Sequence, residues 1–373
     1  MAVPKPSCTL PDKSGGPGPS LRPPRSPALR GFSTLATAGS PITSTARLAH
    51  VRYPSGEWWF ANRAYYDMTG MSEFDVVTGA FSYTGKYVTH RLLNAGRRVR
   101  TLTGHPNRPN TFGGQVEIAP LDFENRANLV QSLRGASVLY NSYWVRFNHG
   151  LATFDQAVAN SRVLIEAAQE AGVRRIVHLS IANPSLDSHL PYYSGKAQVE
   201  RAIVDSGLSY AILRPTVIFG VEDILVNNVA WFARHFPFFA IPGSGKYQIQ
   251  PIFVEDIADL AVNAARQEDN LVLDAVGPEI FTFEDLVRLI SIAVGRKTRL
   301  IHVPPSVALV MLRLINPFVG DVILTRAEME GLMANLLVSK QSATGQTRFS
   351  EWLAQNASIL GTTYASELAR HYR

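Results

Sequence analysis

In the run Phe74-Asp75-Val76-Val77-Thr78-Gly79-Ala80-Phe81-Ser82-Tyr83-Thr84-Gly85-Lys86, an apolar stretch ends in small residues at three-residue intervals, Gly79, Ser82 and Gly85. Each type answers a chemical need. A glycine lets the backbone turn sharply off a strand, a small serine admits a diphosphate close to the main chain, and a second glycine lets a helix start against the strand. The free N–H groups of that helix start then face the phosphates. Gly79, Phe81, Ser82, Tyr83, Thr84 and Gly85 are therefore candidate cofactor contacts. The middle glycine of the usual fingerprint is absent, and the competing reading is an ordinary strand-to-helix turn.

The elements that would position this turn follow in order. Tyr87, Val88, Leu92 and Leu93 mark one face of a helix that Gly96 can cap. Strands are expected at 99–103, 116–119, 137–140, 175–180 and 210–214, with helices at 124–133, 154–171 and 193–205 between them. Such alternation requires crossovers and a parallel sheet covered on both faces. After Gly220 the rhythm breaks. The Gly-rich turn Pro242-Gly243-Ser244-Gly245-Lys246 does not join a buried strand to a helix, so it is not a phosphate-binding P-loop. Asp256 is placed to cap a helix running to Ala265, and Thr282 with Asp285 forms a capping-box-like start. Helices near 306–315 and 325–337 suit a small lid.

Composition bounds the class. The 373 residues are 46% hydrophobic, enough for a full core. Cys8 is the only cysteine, so neither an intrachain disulfide nor a cysteine metal cluster is possible, and no metal site is expected. The net charge is +6, but most of the excess lies in residues 1–70, where Asp12, Glu57 and Asp67 are the only acids. A nucleic-acid partner is not implied. No apolar run reaches the length of a membrane span, and a soluble cytoplasmic protein is expected. Residues 1–50 are rich in Pro, Ser, Gly and Arg and should not pack into a core. They read as an upstream extension, a targeting peptide that would make the protein mitochondrial, or an interaction tail.

Four features in chain order carry a family resemblance: Thr78-Gly79-Ala80 through Gly85; Leu164-Ile165-Glu166-Ala167-Ala168 through Ser180; Tyr192-Tyr193-Ser194-Gly195-Lys196 with Glu200; and Leu213-Arg214-Pro215-Thr216-Val217-Ile218-Phe219-Gly220. Together they resemble the short-chain dehydrogenase/reductase superfamily in its extended and atypical branches, over residues 71 to about 300. Within it the chain is similar to NAD(P)H-binding members that include the nucleotide-binding accessory subunit of respiratory complex I. The resemblance implies a Rossmann doubly wound parallel sheet with a small, mostly helical C-terminal lid. Residues 1–70 would be a disordered extension, 71–275 the nucleotide-binding domain with a lid insertion at about 221–250, and 276–373 the rest of the lid.

It also implies roles. Tyr192 and Lys196 would share one helical face, the lysine ammonium lowering the cost of a phenolate that exchanges a proton with substrate. Lys196 would also bond the nicotinamide ribose. The competing reading packs Tyr192 in the core and leaves Lys196 on a solvated face. The family's catalytic serine or threonine falls on Ala182, leaving Ser180 and Asn183 as imperfect substitutes, and its structural asparagine falls on Ala157, with Asn160 a turn away. After the second strand no acid stands ready for an adenosine ribose, which favours NADP over NAD, with Thr103, His105 and Arg108 as 2′-phosphate candidates. Asp122 and Phe123 match the adenine contacts, although Asp122 can equally cap the following helix. Asn141, Pro215 and Val217 complete the cofactor set. The activity implied is NAD(P)-dependent oxidoreduction or epimerisation of a small molecule. The alternative is a non-catalytic, nucleotide-binding accessory subunit with a respiratory-complex or membrane-peripheral partner.

Overall fold

The computed structural model describes residues 73–371, all within one compact unit. The expectations for residues 1–70 lie outside the described residues. The chain alternates β1 (Phe74–Thr78), α1 (Tyr83–Asn94), β2 (Arg98–Thr103), β3 (Val116–Pro120), α2 (Arg126–Leu133), β4 (Ala136–Asn141), α3 (Phe154–Glu170), β5 (Arg175–Leu179), α4 (Pro191–Asp205) and β6 (Ser209–Pro215). Then come β7 (Val217–Phe219), α5 (Leu225–His235), β8 (Phe238–Pro242), β9 (Gln248–Ile249), β10 (Pro251–Phe253), α6 (Val254–Ala265) and β11 (Leu271–Ala275). The chain continues through β12 (Phe281–Thr282), α7 (Phe283–Ala293), β13 (Arg299–Val303), α8 (Pro305–Val319), α9 (Arg326–Met333), α10 (Phe349–Asn356) and α11 (Glu367–His371).

Seven strands form one parallel sheet in the order β11-β6-β5-β4-β1-β2-β3. Successive side chains of a strand point to opposite faces, so neighbours in sequence enter different cores. Val77 packs with Val88, Leu92, Ile257 and Ala261 of α1 and α6. Val76 packs with Leu129, Leu164, Ile165, Val199 and Ile203 of α2, α3 and α4. This double burial is why β1 lacks a polar-apolar alternation, its one charged residue, Asp75, being buried and paired with Arg97. β1 lies between β2 and β4, so the connections leave it in opposite directions at its carboxyl end. That reversal opens a crevice, the usual ligand site of such sheets.

The lid has its own core. Val226 and Val229 of α5, Ile249, Phe283 and Leu286 of α7, and Phe349 and Trp352 of α10 belong to one cluster. The insertion after Gly220 and the segment after 276 thus share one apolar interior. Two details differ from the sequence expectation. Phe253, not Asp256, is the N-cap of α6; the Asp256 carboxylate instead accepts from the Gln346 and Thr347 N–H groups at 2.8 Å each. A lid segment thereby recruits the acid that would otherwise cap its own helix. Asp122 accepts from Glu124 N at 3.1 Å, whereas Asn125 caps α2, which starts at Arg126. Thr282 caps α7 by accepting from Asp285 N at 3.1 Å.

Candidate active site

β1 delivers the turn to the carboxyl edge of the sheet. Gly79 has a φ of +71°, a left-handed conformation that a side chain would strain. Its N–H donates to the Leu102 carbonyl at 2.9 Å, and Ala80 N donates to Thr101 Oγ1 at 3.0 Å, so β2 fixes the turn's path. Ser82 closes it, its hydroxyl donating to the Gly79 carbonyl at 2.6 Å. α1 begins immediately afterwards, and no side chain caps it. A small-residue turn with an uncapped helix start beside a cleft fits a diphosphate. Phe81, Thr84 and Gly85 support the turn from behind rather than line the cleft, whereas Gly79, Ser82 and Tyr83 line it.

The end of β2 forms the next wall of the cleft. Thr103 is buried and its Oγ1 accepts from His105 N at 3.0 Å, while His105 and Arg108 line the cleft. Partial burial and the neighbouring Arg108 guanidinium hold His105 below the usual histidine range. Burial, reinforced by the charge of Arg370, likewise lowers Arg108. Phe123 stacks obliquely on Tyr143 with ring centres 4.8 Å apart, and both rings line the wall. Asp122 is engaged in its own local turn and does not line it.

Across the crevice, the ends of β4 and β5 and the helix α4 bring the residues expected to do chemistry. The end of β4 is locked to the end of β1: Ser142 N donates to Thr78 Oγ1 at 2.8 Å and Ser142 Oγ donates to the Thr78 carbonyl at 2.7 Å. Asn141 is wholly buried, with its amide 3.2 Å from His178 Nδ1. Lys196 is buried behind the wall, and its ammonium donates to the Leu179 carbonyl at 2.9 Å. It also lies 4.6 Å from the Trp144 ring centre. Burial pulls the lysine down to about 7, against the opposing pull of Glu200. Tyr192 lines the cleft and packs edge-on against Trp144 and Phe154, at 6.0 and 5.8 Å. Its phenol is pushed above the ordinary range by burial. Trp144 therefore contacts both members of the Tyr192 and Lys196 pair, and no hydrogen bond joins the two among the described residues.

The remaining candidates divide in the same way. Ser180 is buried, and its hydroxyl has no hydrogen-bond partner among the described residues. Asn183 sits at a φ of +55° and donates to the Leu336 and Val338 carbonyls at 3.0 and 2.9 Å, tying the lid to the sheet edge. Asn160 donates to the Tyr143 hydroxyl at 2.9 Å. Pro215 is buried at the end of β6, and Val217 lines the cleft.

These walls line a cleft of about 1290 Å³ that runs from the Gly79–Ser82 turn to the lid. Its lid half is apolar, with Phe232, Phe239, Met311, Leu312 and Ile315 among the lining residues. Three cleft-lining groups, Tyr83 OH, Trp144 Nε1 and Asp223 Oδ2, have no hydrogen-bond partner among the described residues. Burial raises Asp223 to about 7. Unpaired buried polar atoms are costly and suit a polar ligand laid along the wall. Trp144, Asp223 and Arg370 were not legible as site residues, because none belongs to a motif at fixed spacing. No group of three or more acidic, histidine or cysteine side chains able to hold a metal occurs among the described residues.

The model of the NmrA-like family matches residues 74–352, which span the sheet, the cleft and most of the lid. The chain belongs to the NmrA-like family. The extended and atypical short-chain dehydrogenase/reductase resemblance drawn from the motifs therefore holds. This NmrA-like chain is 24% identical over 248 residues to the mitochondrial "NADH dehydrogenase [ubiquinone] 1 alpha subcomplex subunit 9" of Arabidopsis thaliana, covering 63% of this chain and 61% of that subunit. It is 26% identical to a "(4-alkanoyl-5-oxo-2,5-dihydrofuran-3-yl)methyl phosphate reductase" of Streptomyces griseus, covering 76% of this chain and 97% of the reductase. Among solved structures, it is similar to an NADPH-dependent quinone oxidoreductase of Escherichia coli in complex with NADPH. The TM-score is 0.62 at 20% identity, covering 76% of this chain and 99% of that one.

Proposed function

We propose that this NmrA-like protein binds NADP(H) and reduces an apolar carbonyl or quinone-type acceptor. The observation that carries the reading is the continuity of one cleft from the Gly79–Ser82 turn to the apolar lid residues Phe232, Phe239, Met311 and Leu312. A cofactor end and an apolar end in one cleft would bring a hydride source and a greasy acceptor side by side. When bound, NADPH supplies the hydride. The chain's own residues hold the diphosphate at the turn, orient the acceptor and exclude water. Arg108 and His105, with no acid after β2, support NADP over NAD.

Tyr192 suits reduction rather than oxidation. With its pKa raised by burial and Lys196 Nζ turned to the Leu179 carbonyl rather than to the phenol, it stays protonated at neutral pH and serves as a hydrogen-bond donor to acceptor oxygen. The names of the Streptomyces reductase and of the quinone oxidoreductase agree with this direction. Denaturing release of bound nucleotide, identified by mass, tests the cofactor. Loss of NADPH absorbance with quinones, ketones and aldehydes tests the reaction; no turnover with any of them refutes the catalytic reading.

A second reading is an accessory subunit that binds nucleotide without turnover and docks a respiratory complex. It is favoured by α8, whose inner face lines the cleft while Leu314 and Phe318 are 65% and 90% exposed. A helix apolar on both faces calls for a partner. The Arabidopsis relative is named as a mitochondrial complex I subunit, which favours the mitochondrial over the cytoplasmic location. No helix among the described residues is long and apolar enough to cross a membrane.

A further inference from the structure

The segment 362–371 lies along the same cleft as the phosphate turn, although it is remote from that turn in sequence. The lid holds it firmly. Asn228 exchanges two hydrogen bonds with Ala365, donating to its carbonyl at 3.0 Å and accepting from its N–H at 2.8 Å. The Asp321 carboxylate accepts from Tyr364 OH, Glu367 N and Leu368 N at 3.1, 2.9 and 3.0 Å. Arg146, from the loop after β4, lies 3.7 Å from the Glu367 carboxylate. At the far end Arg108 Nη2 donates to the Arg370 carbonyl at 2.5 Å. Residues from three walls of the cleft therefore grip one short strap.

The strap carries a cation to the turn. The Arg370 guanidinium lies 6.0 Å from the ring centre of Tyr83, the first residue of α1. Neither Arg370 nor Arg108 forms an ion pair among the described residues, yet both line the cleft. The nearby acids offset Arg370 only in part, since buried Asp223 and Glu367 both feel its charge. Glu222 is paired with Lys86 and Glu367 faces Arg146, while Asp223 is buried with one carboxylate oxygen bonded to Val226 N. The two guanidinium groups still repel one another, Arg370 lowering Arg108, an arrangement that an anion between or beside them relieves.

We propose that Arg370, carried on the strap 362–371, is a ligand for the cofactor's diphosphate, acting beside the Gly79–Ser82 turn. Arg108 keeps the 2′-phosphate role and also anchors the strap through the Arg370 carbonyl. This rests on the nucleotide-binding reading above. It adds a binding residue that the strand-turn-helix motif does not contain.

Calorimetric titration of the full chain with NADPH and with NADH separates the roles. Arg370→Ala should weaken both nucleotides alike, by about tenfold or more, the scale of one hydrogen bond to a charged group. Arg370→Lys should recover part of the loss. Arg108→Ala should weaken NADPH more than NADH. NADPH should also slow tryptic cleavage after Arg370 in the wild type, a readout independent of turnover. Wild-type affinity in Arg370→Ala, tighter binding in it, or a loss confined to NADPH each overturns the assignment. A wild type that binds neither nucleotide removes the cofactor reading itself, and this inference with it.

Discussion

Gly85 lies so close beneath Gly79 that a Cβ on it would stand 2.2 Å from the Gly79 carbonyl oxygen. The first turn of α1 is thus pressed directly onto the loop that leaves β1. Gly85→Ala forces backbone apart, because the obstacle is a carbonyl and not a flexible side chain. The expected cost is about 1–3 kcal/mol of stability, with weaker nucleotide binding. Urea denaturation with and without NADPH measures both, and an unchanged midpoint together with unchanged affinity contradicts the packing argument.

Cofactor choice is tested at Arg108 and His105. NADPH should bind more tightly than NADH by about 1–3 kcal/mol, the range of a charge-assisted bond to the 2′-phosphate. Paired titrations settle it, and equal affinities would show that the missing acid after β2 had been misread.

Tyr192→Phe keeps the ring that packs on Trp144 and Phe154 and removes the hydroxyl. In a reductase that donates a hydrogen bond to acceptor oxygen, turnover should fall by about 10- to 100-fold while NADPH affinity stays unchanged. Steady-state kinetics with the best acceptor found decides. A turnover that survives intact moves the protein to the accessory reading.

Lys196 gives a pH signature. Its folded-state pKa of about 7 is depressed below the unfolded value of 10.5, so the unfolded chain binds more protons between those values. Stability should therefore rise with pH from about 7 to about 10, at up to about 1 kcal/mol per pH unit from this group. Lys196→Met should flatten that rise; on the acid side, where His178 takes up a proton on unfolding, the dependence should persist but shrink, because burial, the larger cause of the depressed His178 pKa, remains while the Lys196 charge is gone. Melting temperatures across pH 6–10 for both proteins test it; parallel curves would show that Lys196 stays charged in the fold.

The local order of this fold is written in its sequence because each signal is short-range. The buried run of β1, the glycine turn, and the helices and strands that follow depend on neighbours within a few residues, so periodicity and glycine placement report them. The turn off β1 was legible for the same reason, since Gly79, Ser82 and Gly85 act within one turn of backbone. What the tertiary structure decided involves residues far apart in the chain. Asp256 follows the start of α6, yet the segment 346–347 claims it. Tyr192 and Lys196 share a helix at the spacing that predicts cooperation, but Trp144 from the loop after β4 packs against both, and Leu179 takes the ammonium. Arg370 reaches Tyr83, just past the turn, from 287 residues away, its segment held by bonds to Asn228, Asp321 and Arg108 that no spacing rule encodes. Spacing within an element fixes which side chains can meet, whereas burial and packing between elements fix which of them do, and in which charge state.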